Sequence, residues 1–477
     1  MNYLEQVTYM KPEMLLLAQV VLLILLDLFS GKTIKKQFDN IACGLFIICS
    51  VVSILPSNTG EAFGGMFTTN AMTQIVKAIL NLGTILVFLQ ARVWANNEHT
   101  KHKRSEIYIL TLSTLMGMNL MISAGHFLLF YLGLELASLP LTTLIAYNKY
   151  EETSIEAGAK FVLIAAFSSG MMLFGISLFY GAVGAEGLYF DSMSKQLSAT
   201  PLQILALVFF LSGLAFKISL VPFHLWTADV YQGAPTNISA YLSVISKGAA
   251  VFALMFLTLK LFGNIFEYWQ YIVAALIVLT ITVGNLFAMR QSNVKRFLGF
   301  SSISQAGYIM LGMMGIGTGD PMGMTSVVFY LLVYLVSNIG IFAVVSVIEN
   351  NSNKLTISDY NGLYKTNPYL SIAMMLFLFS LGGIPPFAGF FSKFFVFMSA
   401  ANDGWYVLDF IALINTVISL YYYLLIVKAM FINENEAPIA KIKTDNASKI
   451  GLAVCLAGTL ALGIFSSVYT GLTQYAF

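Results

Sequence analysis

The sequence predicts an all-α polytopic membrane protein of about fourteen transmembrane helices, with two inverted repeats of five (spans 4-8 and 9-13) and broken helices in spans 7 and 12. Three observations predict it. Hydrophobic residues fill 58% of 477 positions and charged residues only 10%, where about a quarter would be charged in a soluble domain. Apolar runs long enough to cross a bilayer recur between charged or Gly/Pro/Asn clusters. Two of those runs are interrupted by proline beside a lysine. A barrel would instead show alternating segments of roughly ten residues, and none appears.

Taken in order, the spans fall at about 12-30, 38-56, 69-92, 106-123, 126-147, 154-183, 201-231, 236-259, 268-289, 294-315, 321-348, 368-400, 405-431 and 449-471. The first, from Pro12 to Ser30, is too long for a signal-peptide core and no small-residue cleavage site precedes the lysines after it, so it reads as a retained span. Residues 1-104 then form a three-helix segment, 105-260 and 261-432 the two repeats, and 433-477 a loop and a last helix. Cytoplasmic loops carry the excess of Lys and Arg. Counting alternate loops, one side takes 17 basic residues and the other only Lys11, Lys195 and Lys260. Both termini are therefore expected on the periplasmic side.

The remaining basic residues, Lys77, Lys160, Lys217, Lys247 and Lys393, fall within spans. A lysine at a helix centre costs about 2.5 to 3.5 kcal/mol on insertion scales, and ionisable groups there mark ion or proton pathways. Snorkelling from near a helix end is the competing reading, strongest for Lys77 and then Lys160. In GLAFKISLVPFHLW, Pro222 follows Lys217 by five residues; in LGGIPPFAGFFSKF, Pro385 and Pro386 precede Lys393. Proline frees backbone groups that must face protein or a water-filled cavity inside a membrane. A kink used only for packing is the plainer alternative. The repetition of break plus lysine favours a two-half transport design with its site near the midplane.

Glu135, in YLGLELASLP, has no basic residue on its own helix, and an ionised carboxylate there needs a cation from another one. Lys217 is the natural candidate. Lys247, in SVISKGAAV, is flanked by small residues that leave room for water or close helix approach. Burial disfavours the charge of a lysine and a carboxylate favours it, so a lysine under both influences can gain or lose its proton as hydration changes. His224, just after the first break, is suited to a branch or exit point or to fixing the kink. His99 and His102 lie in a charged loop, and Cys43, Cys49 and Cys455 in apolar stretches without metal-ligand spacing. No phosphate loop, metal cluster or nucleophile constellation appears, so redox chemistry is not expected in this chain, and nucleic acid is not an expected partner.

The stretch FKISLVPFHLWTADVYQGAPTNISAYLSVISK, with GIPPFAGFFSKF, resembles the antiporter-like subunits of respiratory NADH:quinone oxidoreductase (complex I) and the related Mrp-type sodium/proton antiporters. The form VPFHLWTADVYQGAP looks like the N type rather than the L or M types. The chain lacks the long lateral helix of the L type, and Lys393 stands where the M type has an acid. The resemblance implies that Glu135 and Lys217 form an ion pair of one half-channel. It makes Lys247 the central lysine and Lys393 the distal one. Lys160 would be a further lysine of the first half, and His224 part of the broken-helix motif. Gln305, in SSISQAGYIM, departs from relatives that often carry histidine there. An amide orients water but does not bind and release a proton, so a relay would use water, helped by Tyr308.

The resemblance further implies a translocase subunit in the bacterial inner membrane. FMN, iron-sulfur clusters and quinone would be held by partner subunits, and the partners would be an M-type subunit and small K, J and A-type subunits. A stand-alone Mrp-type cation/proton antiporter and a structural subunit that moves no ions remain as alternatives. Co-purifying flavin and iron-sulfur subunits would separate the first from the favoured reading. Intact pumping after neutralising Glu135 and Lys217 together would favour the second.

Overall fold

The apolar runs fold as helices, because in lipid each backbone polar group has to be satisfied within its own segment. The computed structural model describes residues 3–29, 31, 35, 37–55, 58–316, 321–465 and 467–476. Lys32 and Lys36 of the charge count, and the span limits placed at 30 and 56, lie outside the described residues. The principal helices are α1 (Lys11–Phe29), α2 (Phe38–Ile54), α3 (Ala71–Ala95), α4 (Arg104–Ile122), α5 (Phe127–Ile145), α6 (Glu152–Val183), α7 (Pro201–Ile218) and α8 (Leu225–Gly233). They continue as α9 (Thr236–Lys260), α10 (Phe266–Ala288), α11 (Val294–Leu311), α12 (Met322–Ser352), α13 (Pro368–Gly382), α14 (Ala388–Asn402), α15 (Tyr406–Phe431) and α16 (Asn446–Ile464).

Among the described residues, eleven helices are long and apolar enough to cross a membrane. The three other expected spans are helical but differ in kind. α2 has 17 residues, short of the roughly 20 that span the hydrocarbon. α11 carries Ser301, Ser302, Ser304, Gln305 and Tyr308 in its middle. The twelfth expected span is split into α13 and α14. A small antiparallel hairpin pairs Gly60–Ala62 with Phe67–Thr69.

The chain divides into two units: Met1–Phe88, Trp94–Lys217 and Gly248–Trp269 in the first, Leu89–Val93, Ile218–Lys247 and Gln270–Phe477 in the second. It passes between them beside Lys217 and again beside Lys247. In the first unit α4 and α5 touch backbone to backbone. A Cβ on Gly117 would lie 2.4 Å from Ala137 N, and one on Gly133 2.6 Å from Met121 N. Small residues permit this close packing where lipid gives no hydrophobic drive to association. Phe127, Phe179, Phe190, Phe210 and Phe262 stack in a cluster at the start of α5. In the second unit α12 is the hub, packed by α13, α14 and α16.

Both proline breaks are present. α7 stops at Ile218, Ser219 takes a positive φ of 69°, and α8 resumes at Leu225. The freed Val221 N–H donates to Thr280 Oγ1 at 3.0 Å. α13 stops at Gly382 and α14 resumes at Ala388. There Gly389 N donates to Ser380 Oγ at 3.1 Å, and that hydroxyl pairs with Ser337 Oγ at 2.8 Å. The half-helices approach so closely that a Cβ on Gly389 would sit 1.7 Å from Ser380 O. Gly389→Ala is therefore expected to cost about 1–3 kcal/mol or more through overpacking. The amount of assembled protein recovered from membranes should fall several-fold, while Gly170→Ala, in open space, should leave it unchanged.

Candidate functional site

Three buried lysines each sit on a hydroxyl, a carbonyl or an aromatic ring rather than on a carboxylate. Lys217, in the last turn of α7, is 3% exposed. Its Nζ donates to Ser138 Oγ at 2.7 Å and to Ala137 O at 3.4 Å on α5. Pro140 lies inside α5, and its missing N–H weakens the helical ladder near these acceptors. Glu135, one turn before Ser138, lines the same cavity of about 210 Å³, together with Tyr131, Thr142 and Ser169. The expected direct ion pair is not formed: no Lys217–Glu135 contact within 4 Å occurs, and Glu135 Oε1 accepts no hydrogen bond among the described residues. A cavity of that size, with Glu135, Ser138 and Lys217 among its otherwise largely apolar walls, has room for several waters, which can link the two groups without contact.

Lys247 is 3% exposed, at the point where a π-helical turn, Leu242–Ser246, gives way to regular α-helix within α9. Such turns rotate the residues that follow and are frequent at functional sites. Lys247 Nζ donates to Ser302 Oγ at 2.8 Å and lies 5.4 Å from the centre of the Tyr231 ring. Just before it, Ser243 Oγ accepts from Asn338 Nδ2 at 2.7 Å.

Lys393, on α14, is 4% exposed. Its Nζ reaches Gly382 O at 3.5 Å and the Tyr308 ring at 4.8 Å. Gly382 ends α13, where the helix dipole presents negative charge to a cation.

α11 joins the last two sites. Ser302, the partner of Lys247, lies three residues from Gln305 and six from Tyr308, so these side chains share one helix face. Tyr330 Oη donates to Gln305 Oε1 at 2.6 Å, and Gln305 Nε2 donates to Tyr423 Oη at 3.1 Å. Tyr422 Oη donates to Asn285 Oδ1 at 2.9 Å, and Asn285 Nδ2 reaches Tyr308 Oη at 3.4 Å. Hydroxyls and amides thus line the interval from Lys247 to Lys393. Among the described residues no group of three or more His, Cys, Asp or Glu is placed to hold a metal.

Residues 124–419 match the family described as NADH:quinone oxidoreductase/Mrp antiporter, TM. NADH-quinone oxidoreductase subunit N of Phocaeicola vulgatus is 56% identical over 98% of this chain and 98% of its own. The chain belongs to this family. A chain of respiratory complex I from Thermus thermophilus superposes with a TM-score of 0.83 at 30% identity, over 97% of this chain and 99% of that one. A chain of the Mrp complex from Dietzia sp. shares the fold, with a TM-score of 0.85 at 21% identity over 99% of this chain and 97% of that one. The antiporter-like subunit fold therefore accounts for nearly the whole chain.

Within this family fold, not every residue singled out from the sequence reaches a buried site. Lys160 is 40% exposed and pairs with Glu156, one turn away on the outside of α6, at 2.6 Å. It is not among the residues lining the Glu135–Lys217 cavity. His224 precedes α8 without capping it through its side chain, and its Nδ1 has no hydrogen-bond partner among the described residues. Lys77, expected to be the weakest of the five, is fully buried. It forms a 2.6 Å ion pair with Glu13, and the two are 2% and 1% exposed. Lys295, assigned to a loop by charge counting, is also buried, donating to Ala234 O at 2.7 Å and pairing with Glu349 at 3.3 Å.

Proposed function

We propose that this chain is a proton-translocating membrane subunit of an NADH:quinone oxidoreductase, coupling electron transfer in other subunits to proton movement through its buried lysines. The observation that carries this reading is the polar face of α11, which runs from the Ser302 partner of Lys247 to the Tyr308 ring beside Lys393. Membership of the subunit N family supplies the redox partner.

In this reading a change at Glu135 alters the charge that Lys217 bears. Proton affinity at Lys247 and then at Lys393 responds in turn. A lysine held by a neutral hydroxyl pays for its charge in desolvation and releases its proton when local hydration falls. The protein side of the reaction is therefore uptake, holding and release of protons at Nζ atoms, with tyrosine, serine and amide groups ordering the water between them. Flavin, iron-sulfur clusters and quinone belong to the partner subunits.

The excess of basic residues on one set of loops supports a reading with that set in the cytoplasm and both termini in the periplasm, in the bacterial inner membrane. M-type and small K, J and A-type subunits would be its neighbours.

The combined variant Glu135→Gln/Lys217→Met tests the reading. The assembly should form and reduce quinone, while protons moved per electron fall measurably in reconstituted vesicles. Unchanged pumping with poor assembly would instead mark the pair as structural.

A further inference from the structure

Near residues 365–370 and 441–456, a groove of about 1090 Å³ lies apart from the buried lysine sites. Its rim carries Lys365, Lys441, Lys443 and Lys449. Lys365 pairs with Glu434 at 3.4 Å in the open. No carboxylate lies within 4 Å of the other three ammonium groups among the described residues. The nearby Asp445 carboxylate is engaged as the cap of α16, accepting from Ser448 N at 3.1 Å.

The rim is built, not loose. Asn367 is buried; its Nδ2 donates to Ile439 O at 3.3 Å and Ala440 O at 3.1 Å, and its Oδ1 accepts from Ile442 N at 2.8 Å. Lys441 and Lys443 flank Ile442, whose backbone is anchored. Below them the wall is apolar, with Leu370, Leu452 and Leu456, and Tyr369 stands fully out at the mouth. Both α13 and α16 begin here, so the rim lies at the water boundary of two spans and the wall runs toward hydrocarbon. Basic pockets between transmembrane helices suit anionic lipid headgroups.

We infer that this groove binds one anionic phospholipid. Its phosphate lies among Lys441, Lys443 and Lys449, and an acyl chain lies along Leu370, Leu452 and Leu456. The apolar wall distinguishes this occupant from free phosphate, which would use only the rim. The unpaired lysines favour it over a neutral lipid.

The test uses the intact purified assembly, stripped in detergent and exposed to vesicles of phosphatidylglycerol or phosphatidylcholine, with bound lipid counted by mass spectrometry. Wild type should rebind phosphatidylglycerol selectively. Lys441→Gln/Lys443→Gln/Lys449→Gln should lose about one such lipid per chain. Ala373→Trp fills the wall and leaves every lysine, so it should lose the same lipid; full retention would overturn the proposal by showing that only the rim binds. A photoreactive residue at Ala453 should label lipid. Labelling of another subunit there, or equal lipid in all variants, would also overturn it. If the triple variant fails to assemble, Ala373→Trp and the photolabel decide the matter.

Discussion

Lys247→Ala is expected to slow proton transfer through this chain by about 100-fold or more, the range in which removal of a positioned acid–base group falls. Protons moved per electron in the intact complex should drop accordingly, with quinone reduction retained. The side chain donates to Ser302, and alanine there takes the ammonium away from that hydroxyl. Lys247→Arg separates two explanations. Arginine keeps the positive charge but does not release its proton, so it should fail like alanine if titration matters and succeed if a fixed charge suffices. Unchanged pumping per electron in Lys247→Ala would remove this residue from the pathway.

Lys77→Met should be the most damaging change outside the lysine sites. It strands Glu13, 1% exposed, without its 2.6 Å partner. Breaking a buried pair in this way costs about 3–5 kcal/mol, enough to reduce assembled protein by roughly 100-fold or more. Glu13→Leu/Lys77→Met removes both charges and should recover most of the loss, because an apolar pair has no desolvation penalty. The check is the yield of intact assembly from membranes. Equal losses in the single and double variants would mean that the pair acts through packing rather than charge.

The sequence was most informative where composition and proline acted alone. Apolar runs marked the helices, and Pro222, Pro385 and Pro386 marked both breaks, because lipid leaves a helix few other ways to stop. Lysines within runs pointed to Lys217, Lys247 and Lys393, all buried as expected. Partners were harder to read. Ser138 and Ser302 hold two of those lysines, yet serine is too common in membrane helices to stand out; only the three-residue spacing of Ser138 from Glu135 offered a signal. Glu13 is the second residue of the first expected span, and its partner lies 64 positions on, where spacing along the chain gives no signal. Charge counting placed Lys295 in a loop because it cannot distinguish a solvated lysine from one folded under the start of a helix. The π-turn before Lys247, Leu242–Ser246, leaves no trace in residue type.

The bonding around Gln305 has a direction. Tyr330 gives its hydrogen to the amide oxygen, and the amide nitrogen gives its own to Tyr423. A chain of hydroxyls or imidazoles can pass a proton by handing on hydrogens and then reset by rotating. A primary amide has no comparable shuttle, since its oxygen would have to accept one hydrogen while its nitrogen surrendered another. At this point the side-chain wire behaves as an insulator. In the proposed pathway, proton transfer between Lys247 and Lys393 would depend on a water chain passing around the amide, so wetting and drying of that bypass would switch conduction without any lysine having to move.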